Sequence, residues 1–567
     1  MFPRVVDYLV QAISVLGVRH VFGVDGANIE DLYDAIDAFP GELTGVVAKH
    51  EFSAATMADG YARVTAGLGV VAATSGGGAM NLVAGLAESF ASRVPVLALV
   101  GQPPTAQEGK GAFQDSSGVA GTFDAAQLFE QISRYCARVR TAESLPWHLN
   151  RAVAAARLGG PSVLLLPKDI QQAAIERLTF EPSLSGQVRD VAGIERVRAA
   201  LRAARATGKI TIIAGDQVAR NDARAELLRL AASLDAAVGV APDAKDVYPQ
   251  DEPGFCGVAG SMGHPELIDA VHHSALCLLV GTRLPVTARA GLEEALARAT
   301  VASVGVEPPY LEAIHADSSD LVSDLAELTE DSVVDGAGMT GQADSTPRRS
   351  VLTPLSVPES DGPGMRYRDI VETLNSVIEP GDIDTGVDVF ADAGNTGAAV
   401  VHHLRLPRES RFVVALGMGG MGYAFGAGVG SAFARSRRTF VIAGDGAFFM
   451  HGMEIHTAIE YRLPVTFVVF NNNAHAMCVT REQLFYGDRY SFNRFQPAHI
   501  GAGVGAMFPR LPAYSPGSRD ELAAALRTCL RTPGPSFVSV DCDPDEIPPF
   551  SPFLSAPRTT SAPRRHP

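Results

Sequence analysis

Short apolar runs rich in β-branched residues alternate along the chain with longer stretches in which apolar residues recur at helical spacing. The runs lie at 69–74, 94–101, 162–167, 210–215, 276–281, 300–306, 387–394, 438–446, 465–472 and 536–543. A strand buried on both faces reads as an unbroken apolar run, whereas a covering helix shows one apolar face, so the alternation predicts parallel sheets with helices on both sides. The pattern fails in two places. Residues 176–189 turn to Pro, Ser and Gly without period, and 334–364 form a longer Gly/Ser/Thr/Pro-rich stretch. Read as linkers, they leave three units at 1–180, 190–333 and 365–548, with a linker at 334–364 and a C-terminal tail at 549–567. The expected fold class is α/β, three doubly wound parallel-sheet domains, of which the first and third are candidates for related folds.

Composition narrows the partners. With 47 Lys and Arg against 63 Asp and Glu, the net charge of −16 makes nucleic acid and anionic membrane poor partners. Hydrophobic residues at 46% and charged residues at 19% suit large buried sheets. The six cysteines, Cys136, Cys256, Cys277, Cys478, Cys529 and Cys542, lack the spacing of a disulfide framework or zinc site, which fits a reducing, cytoplasmic setting. The N-terminus has no basic region before a long apolar stretch, and Thr74, Ser75 and Asn81 interrupt the apolar segment at 70–87, so neither a signal peptide nor a membrane span is expected.

The chemistry concentrates at strand ends. Gly444-Asp445-Gly446 closes one run, and after 24 residues Asn471-Asn472 closes the next, with a helix expected at about 452–461 between them. Carboxyl ends of neighbouring parallel strands form the crevice where open α/β sheets bind ligands. A carboxylate, an amide and a backbone carbonyl are the oxygen donors that Mg²⁺ or Ca²⁺ accepts, and the glycines let backbone N–H groups approach a phosphate. Either motif alone is also a common turn or strand end; the spacing is what points to function. Gly417, Gly419 and Gly422 also satisfy the dinucleotide fingerprint, but no acidic residue ends a following strand at the distance such a site needs.

The stretch "GDGAFFMHGMEIHTAIEYRLPVTFVVFNNNAHAM" resembles the diphosphate-binding domain of thiamine diphosphate-dependent enzymes, closest to acetolactate synthase (acetohydroxyacid synthase) large subunits. "VFGVDGANIEDLYDAI" and "AKHEFSAATMADGYARVTAGLGVVAATSGGGAMN" resemble their pyrimidine-binding domain. The resemblance implies that thiamine diphosphate is bound by Gly26, Glu51, Asn395, Thr396, Gly419, Met421, Gly444, Asp445, Gly446, Ala447, Asn472 and Met477. Mg²⁺ would be held by Asp445, Asn472 and the carbonyl of Ala474, and Met421 would bend the cofactor. Glu51 would hydrogen-bond the aminopyrimidine so that the cofactor removes its own thiazolium proton. Catalytic roles are implied for Glu51, Gln114 and His475.

The acceptor side distinguishes members of this family. "GAFQD" is close to a family segment that makes Phe113, Gln114 and Asp115 candidates for the active site, and the protonating residues of simple decarboxylases are missing at Gln114, Asp115 and Cys478. Carboligation, the transfer of an acyl-anion equivalent from pyruvate or a related 2-oxo acid to a second carbonyl compound, is therefore the implied activity. A decarboxylase releasing an aldehyde and a catalytically silent cofactor-binding subunit are the alternatives. Asp25, Cys478 and Arg481 depart from the family pattern in the substrate pocket, with Arg481 in place of a Trp. Gly426 stands where the family has Pro. The central unit resembles a domain that binds FAD in biosynthetic members, where Arg283 would be a contact, although the rest of that loop does not match. The resemblance also implies a homodimer or homotetramer with its active site at a subunit interface.

Overall fold

The computed structural model of the chain describes residues 3–176, 180–181, 189–334, 351–379, 386–490 and 492–555. Three six-stranded sheets follow one another. The first comprises β1 (His20–Val24), β2 (Thr44–Val47), β3 (Gly69–Ala73), β4 (Val96–Gln102), β5 (Tyr135–Arg138) and β6 (Pro161–Pro167). The second comprises β7 (Lys209–Ala214), β8 (Ala237–Val240), β9 (Phe255–Val258), β10 (Ser274–Val280), β11 (Thr300–Gly305) and β12 (Ile314–Asp317). The third comprises β13 (Asp388–Ala391), β14 (Arg411–Val414), β15 (Thr439–Gly444), β16 (Val465–Asn471), β17 (Ala513–Tyr514) and β18 (Ser536–Asp541). Their pairings are parallel, as in β4 with β6, β10 with β7 and β15 with β16. Each predicted run became one of these strands. β4 and β6 are buried along their whole lengths, which is why they read as continuous apolar text.

The first sheet runs β2-β1-β3-β4-β6-β5 and the third β14-β13-β15-β16-β18-β17, one topology used twice. The central sheet runs β12-β11-β10-β7-β8-β9 and is wound differently. In the repeated topology the chain reverses direction across the sheet between β1 and β3, and again between β13 and β15. Such reversals open a crevice at the strand ends.

Six helices position the residues of interest: α1 (Glu51–Thr65), α2 (Gly77–Ala91), α3 (Asn395–His403), α4 (Tyr423–Arg435), α5 (Asp445–His451) and α6 (Ala476–Phe485). Twelve of the fifteen residues of α1 are buried, so it is covered nearly all round, and its second cover is α4 of the third domain. The two helices meet backbone to backbone. A Cβ at Gly426 would lie 2.1 Å from Thr56 Oγ1, and one at Gly430 would lie 2.0 Å from the Met57 carbonyl oxygen. Glycine at 426, in place of the family's Pro, is thus what this crossing requires.

Beside the glycines lies a buried polar cluster. Asp59 accepts from Arg63 Nε at 2.6 Å, from Ser89 Oγ at 2.7 Å and from the Tyr423 hydroxyl. Glu88 accepts from the backbone N–H groups of Gly417 (3.2 Å) and Met418 (2.6 Å), so a first-domain carboxylate holds a third-domain loop. Removing one partner of such a buried ionic pair costs about 3–5 kcal/mol.

The central domain leans on the third through stacked imidazoles, His264 over His402 with centroids 4.5 Å apart, and through Lys245 Nζ donating to the Val401 carbonyl at 2.5 Å. Of the expected linker at 334–364, residues 335–350 lie outside the described residues; 351–364 hold neither helix nor strand. That segment is fastened where Thr353 N–H donates to Glu266 at 2.8 Å and Leu355 N–H to His402 Nε2 at 3.0 Å. The expected C-terminal tail at 549–567 begins folded: Ser551–Leu554 is a short helix with Phe553 buried, and 556–567 lie outside the described residues.

Candidate active site

The helix expected at about 452–461 starts earlier than its sequence suggests. β15 ends at Gly444 and α5 begins at Asp445; the chain then passes through a 3₁₀ turn at Gly452–Glu454 and resumes as Ile455–Glu460. The Gly-Asp-Gly text reads as a turn, yet an acid at the first helical position is favoured by the helix dipole.

Asp445 is buried at that junction, and its Oδ2 accepts from Ala474 N–H at 3.1 Å. The same N–H lies 3.0 Å from Asn472 Oδ1, so carboxylate and amide oxygens converge on one donor. Asn472 is oriented from behind, its Nδ2 donating to the Tyr367 hydroxyl at 3.0 Å. Asp445 Oδ1 is buried without a hydrogen-bond partner among the described residues. Burial pushes the Asp445 carboxyl up to about 6, an effect that a bound cation would reverse. Among the described residues no group of three or more His, Cys, Asp and Glu side chains is placed to hold a metal, so a cation here depends on amide and carbonyl oxygens, the donors of a hard ion.

Around this pair lies a cavity of about 240 Å³ lined by Asn395, Thr396, Gly419, Met421, Gly444, Asp445, Gly446, Ala447, Asn472, Ala474, His475, Met477, Cys478 and Arg481. Every third-domain candidate from the sequence is therefore gathered in one place. Asn395 follows Gly394, whose φ of +97° suits glycine, and donates to Thr480 Oγ1 at 3.3 Å while its Oδ1 stays buried without a partner among the described residues. At Gly446 a Cβ would fall 2.6 Å from His475 Cδ2 and 3.0 Å from Met421 Cε, so glycine keeps the cavity floor open. His475 packs edge-on against Phe495 with centroids 4.7 Å apart.

The first-domain candidates assemble separately, at the ends of β1, β2 and β3. Glu51 is the first residue of α1, and its Oε2 accepts from Asn81 Nδ2 at 2.9 Å. Thr74 Oγ1 accepts from Asn28 N–H at 3.2 Å and donates to Gln114 Oε1 at 3.1 Å; a Cβ on Gly26 would lie 2.9 Å from its Cβ. Gln114 holds a left-handed φ of +60°, uncommon outside glycine. Asp25 Oδ1 accepts from Gly26 N–H at 2.7 Å, and Phe113 is 75% exposed. Asp115 is tied into its own loop. Its carboxylate accepts from Gly109 N–H (2.7 Å) and Ser117 N–H (3.0 Å) in its own loop, and against the upward pull of burial these bonds hold it below the usual range. None of these first-domain residues lines the third-domain cavity, so the candidates fall into two separate groups, here called half-sites.

Sequence reasoning missed the residues that hold the half-sites in shape. Asp392 accepts from Gly422 and Ala424 N–H groups, each at 3.0 Å, and so anchors the turn bearing Gly419 and Met421. Burial raises its carboxyl to about 6. Its place in "DAGNTG" at the end of β13 was the available signal. In the central domain Arg283 pairs with Glu307 at 2.7 Å and lies over Tyr310, 4.0 Å from the ring centroid.

Comparison with known proteins matches all three domains. Residues 3–120 match the N-terminal TPP binding domain of the thiamine pyrophosphate enzymes, 194–331 their central domain and 392–540 their C-terminal TPP binding domain. A probable acetolactate synthase large subunit of Methanocaldococcus jannaschii is 28% identical over 573 residues, covering 96% of this chain and 93% of that protein. The acetolactate synthase isozyme 2 large subunit of Escherichia coli is 28% identical over 542 residues, with 95% of each covered. With three domains matched in order along most of the chain, this protein belongs to the thiamine pyrophosphate enzyme family.

Proposed function

We propose that the protein is a thiamine diphosphate- and Mg²⁺-dependent carboligase of the acetolactate synthase type, which decarboxylates pyruvate or a related 2-oxo acid and joins the acyl unit to a second carbonyl compound. One carbon–carbon bond breaks with release of CO₂ and one forms, and the acceptor oxygen takes up a proton. The observation that carries this reading is the buried, unpartnered Asp445 Oδ1 beside Asn472 Oδ1, a hard-cation donor pair at the floor of a diphosphate-sized cavity.

Bound there, thiamine diphosphate supplies a carbanion-forming carbon and a sink for the electrons left by departing CO₂. Asp445, Asn472 and the Ala474 carbonyl hold the metal, while Asn395, Thr396 and the backbone from Gly444 to Ala447 hold the diphosphate. Met421 would pack against the cofactor between its two ends. Glu51 holds a proton against the aminopyrimidine, and Asn81 keeps its carboxylate turned to that task. Met477 and Cys478, with Gln114 and His475, wall the reacting carbon and limit water.

Glu51 and Asp445 belong to separate half-sites of one chain, and apolar side chains stand exposed in both domains, among them Met80 and Phe113 in the first and Met418, Phe449 and Phe485 in the third. These features support a homodimer, or a dimer of dimers, in which the first domain of one copy faces the third domain of the other. All six cysteines are free and no helix of the described residues is long and apolar enough to cross a membrane, in keeping with a reducing, cytoplasmic setting. FAD forms no part of the proposal.

Mass spectrometry of the products formed with thiamine diphosphate, Mg²⁺ and pyruvate, alone and with aldehyde and ketone acceptors, tests the reading. Acetolactate or a mixed hydroxyketone is expected. Free acetaldehyde whatever the acceptor would make the protein a decarboxylase, and bound cofactor without turnover would mean that the donor is another 2-oxo acid or that the chain is a silent subunit.

A further inference from the structure

We infer that the acceptor carries an acidic group at the end remote from its reacting carbonyl, and that Arg481 recognises it. The inference rests on the carboligase reading above. Arg481 is the only Lys or Arg among the side chains lining the third-domain cavity, whose other walls are mostly small or apolar. It makes no ion pair or hydrogen bond with the described residues and is exposed, whereas the adjacent Glu482 is buried and accepts through Oε1 from Asn493. A guanidinium that lines a cavity and pairs with no acid among the described residues is the donor set that binds carboxylate or phosphate in bidentate fashion.

Its position within the cavity selects which end of a ligand it meets. Arg481 lies four residues beyond Met477 on α6, one turn further along the same face and about 6 Å along the helix axis. The guanidinium leans over Phe553, 5.9 Å from the ring centroid, and Phe553 in turn packs against Phe485, another turn along α6. Arg481 is exposed while Asp445 and Asn472 are buried, so the charge sits at the solvent side of the cavity, its mouth, away from the Asp445 and Asn472 end. A diphosphate seated at that end, or the carboxylate of a 2-oxo acid reacting beside Met477, lies behind it; a terminal acid on an acceptor entering from the mouth lies beside it.

The test uses the holoenzyme with saturating pyruvate and matched acceptors: succinic semialdehyde against butanal, and glyceraldehyde 3-phosphate against glyceraldehyde. The wild-type protein should favour the acidic member of at least one pair by about tenfold or more in kcat/KM, the better pair showing whether the acid is a carboxylate or a phosphate. In Arg481→Gln that preference should collapse through KM, and Arg481→Lys should restore part of it. Titration of succinate and of succinamide into both proteins reads the same recognition without turnover: succinate should bind the wild-type holoenzyme better and lose that advantage in the variant. Ligation without preference for acidic acceptors, equal losses on both members of a pair, or a weakened thiamine diphosphate affinity in Arg481→Gln would overturn the inference. Absence of any ligated product would count against the carboligase reading instead, and the succinate titration would then decide the role of Arg481 alone.

Discussion

In the first domain, the order β2-β1-β3-β4-β6-β5 brings Gly26 and Thr74 to a crevice with Glu51 at its side; in the third, the same order brings Asn395 and Asp445 to the equivalent crevice, with Asn472 beside them. The position after β3 is Thr74 in one domain and Asp445 in the other. One crevice therefore presents a carboxylate at a helix start among neutral hydroxyl and amide groups, and the other a buried carboxylate with an oxygen left over for a cation. The comparison teaches that the fold supplies the crevice and a few strand-end residues decide what it can hold, in the proposed reading an aromatic base in one and a metal-bound diphosphate in the other.

The largest expected effect comes from removing the cation donor. Asp445→Ala should lose bound thiamine diphosphate and all turnover, as should the wild-type protein after chelation of Mg²⁺, both measured by tryptic release of cofactor and by product formation. Glu51→Gln should keep the cofactor yet lower kcat by about 10²–10⁴-fold, because it removes proton handling and leaves the diphosphate contacts alone. Equal cofactor loss in the two variants would erase the distinction between the crevices.

A smaller effect tests how the two domains are joined. Gly430→Ala places a Cβ against the Met57 carbonyl with no flexible side chain to yield, and overpacking of this kind costs about 1–3 kcal/mol. Thermal unfolding should report it, with KM for thiamine diphosphate rising as the α1–α4 crossing loosens.

The smallest effect separates this pair from the central domain. Burial lowers His402 to about 4, so its ring is neutral when folded; Lys245, Arg368 and Glu266 also bear on it. Between pH 6.5 and 4 the unfolded chain binds a proton that the folded one refuses, so His402 costs stability progressively as pH falls through that window. Wild-type protein should therefore lose stability relative to His402→Gln on acidification and match it in slope above pH 7. Buried Asp392 and Asp445 titrate with the opposite sign, which is why the difference between the two proteins is the quantity to measure.

Legibility in the sequence followed burial and distance along the chain. β4 and β6 announced themselves because both faces are covered, while β5 is half-exposed along its length and β17 spans two residues, too little for an apolar run to mark. Asp445 and Asn472 were legible because each closes a strand and the strands are neighbours. Glu88, which holds Met418 from 330 residues away, and Tyr367, which orients Asn472 across 105, leave no local trace. The loop bonds of Asp115, by contrast, join residues two and six positions apart, Ser117 and Gly109, within the motif's own neighbourhood.

The central claim is that one working site takes Glu51 from one copy and Asp445 from another. Co-expression of Glu51→Gln and Asp445→Ala chains under separate tags, with isolation of the mixed dimer, tests it most directly. Two inactive chains should together regain about half of the wild-type activity, since one site of the pair is then intact and the other doubly broken. A mixed dimer as inactive as either parent would show that each chain builds its site alone, and would contradict the account.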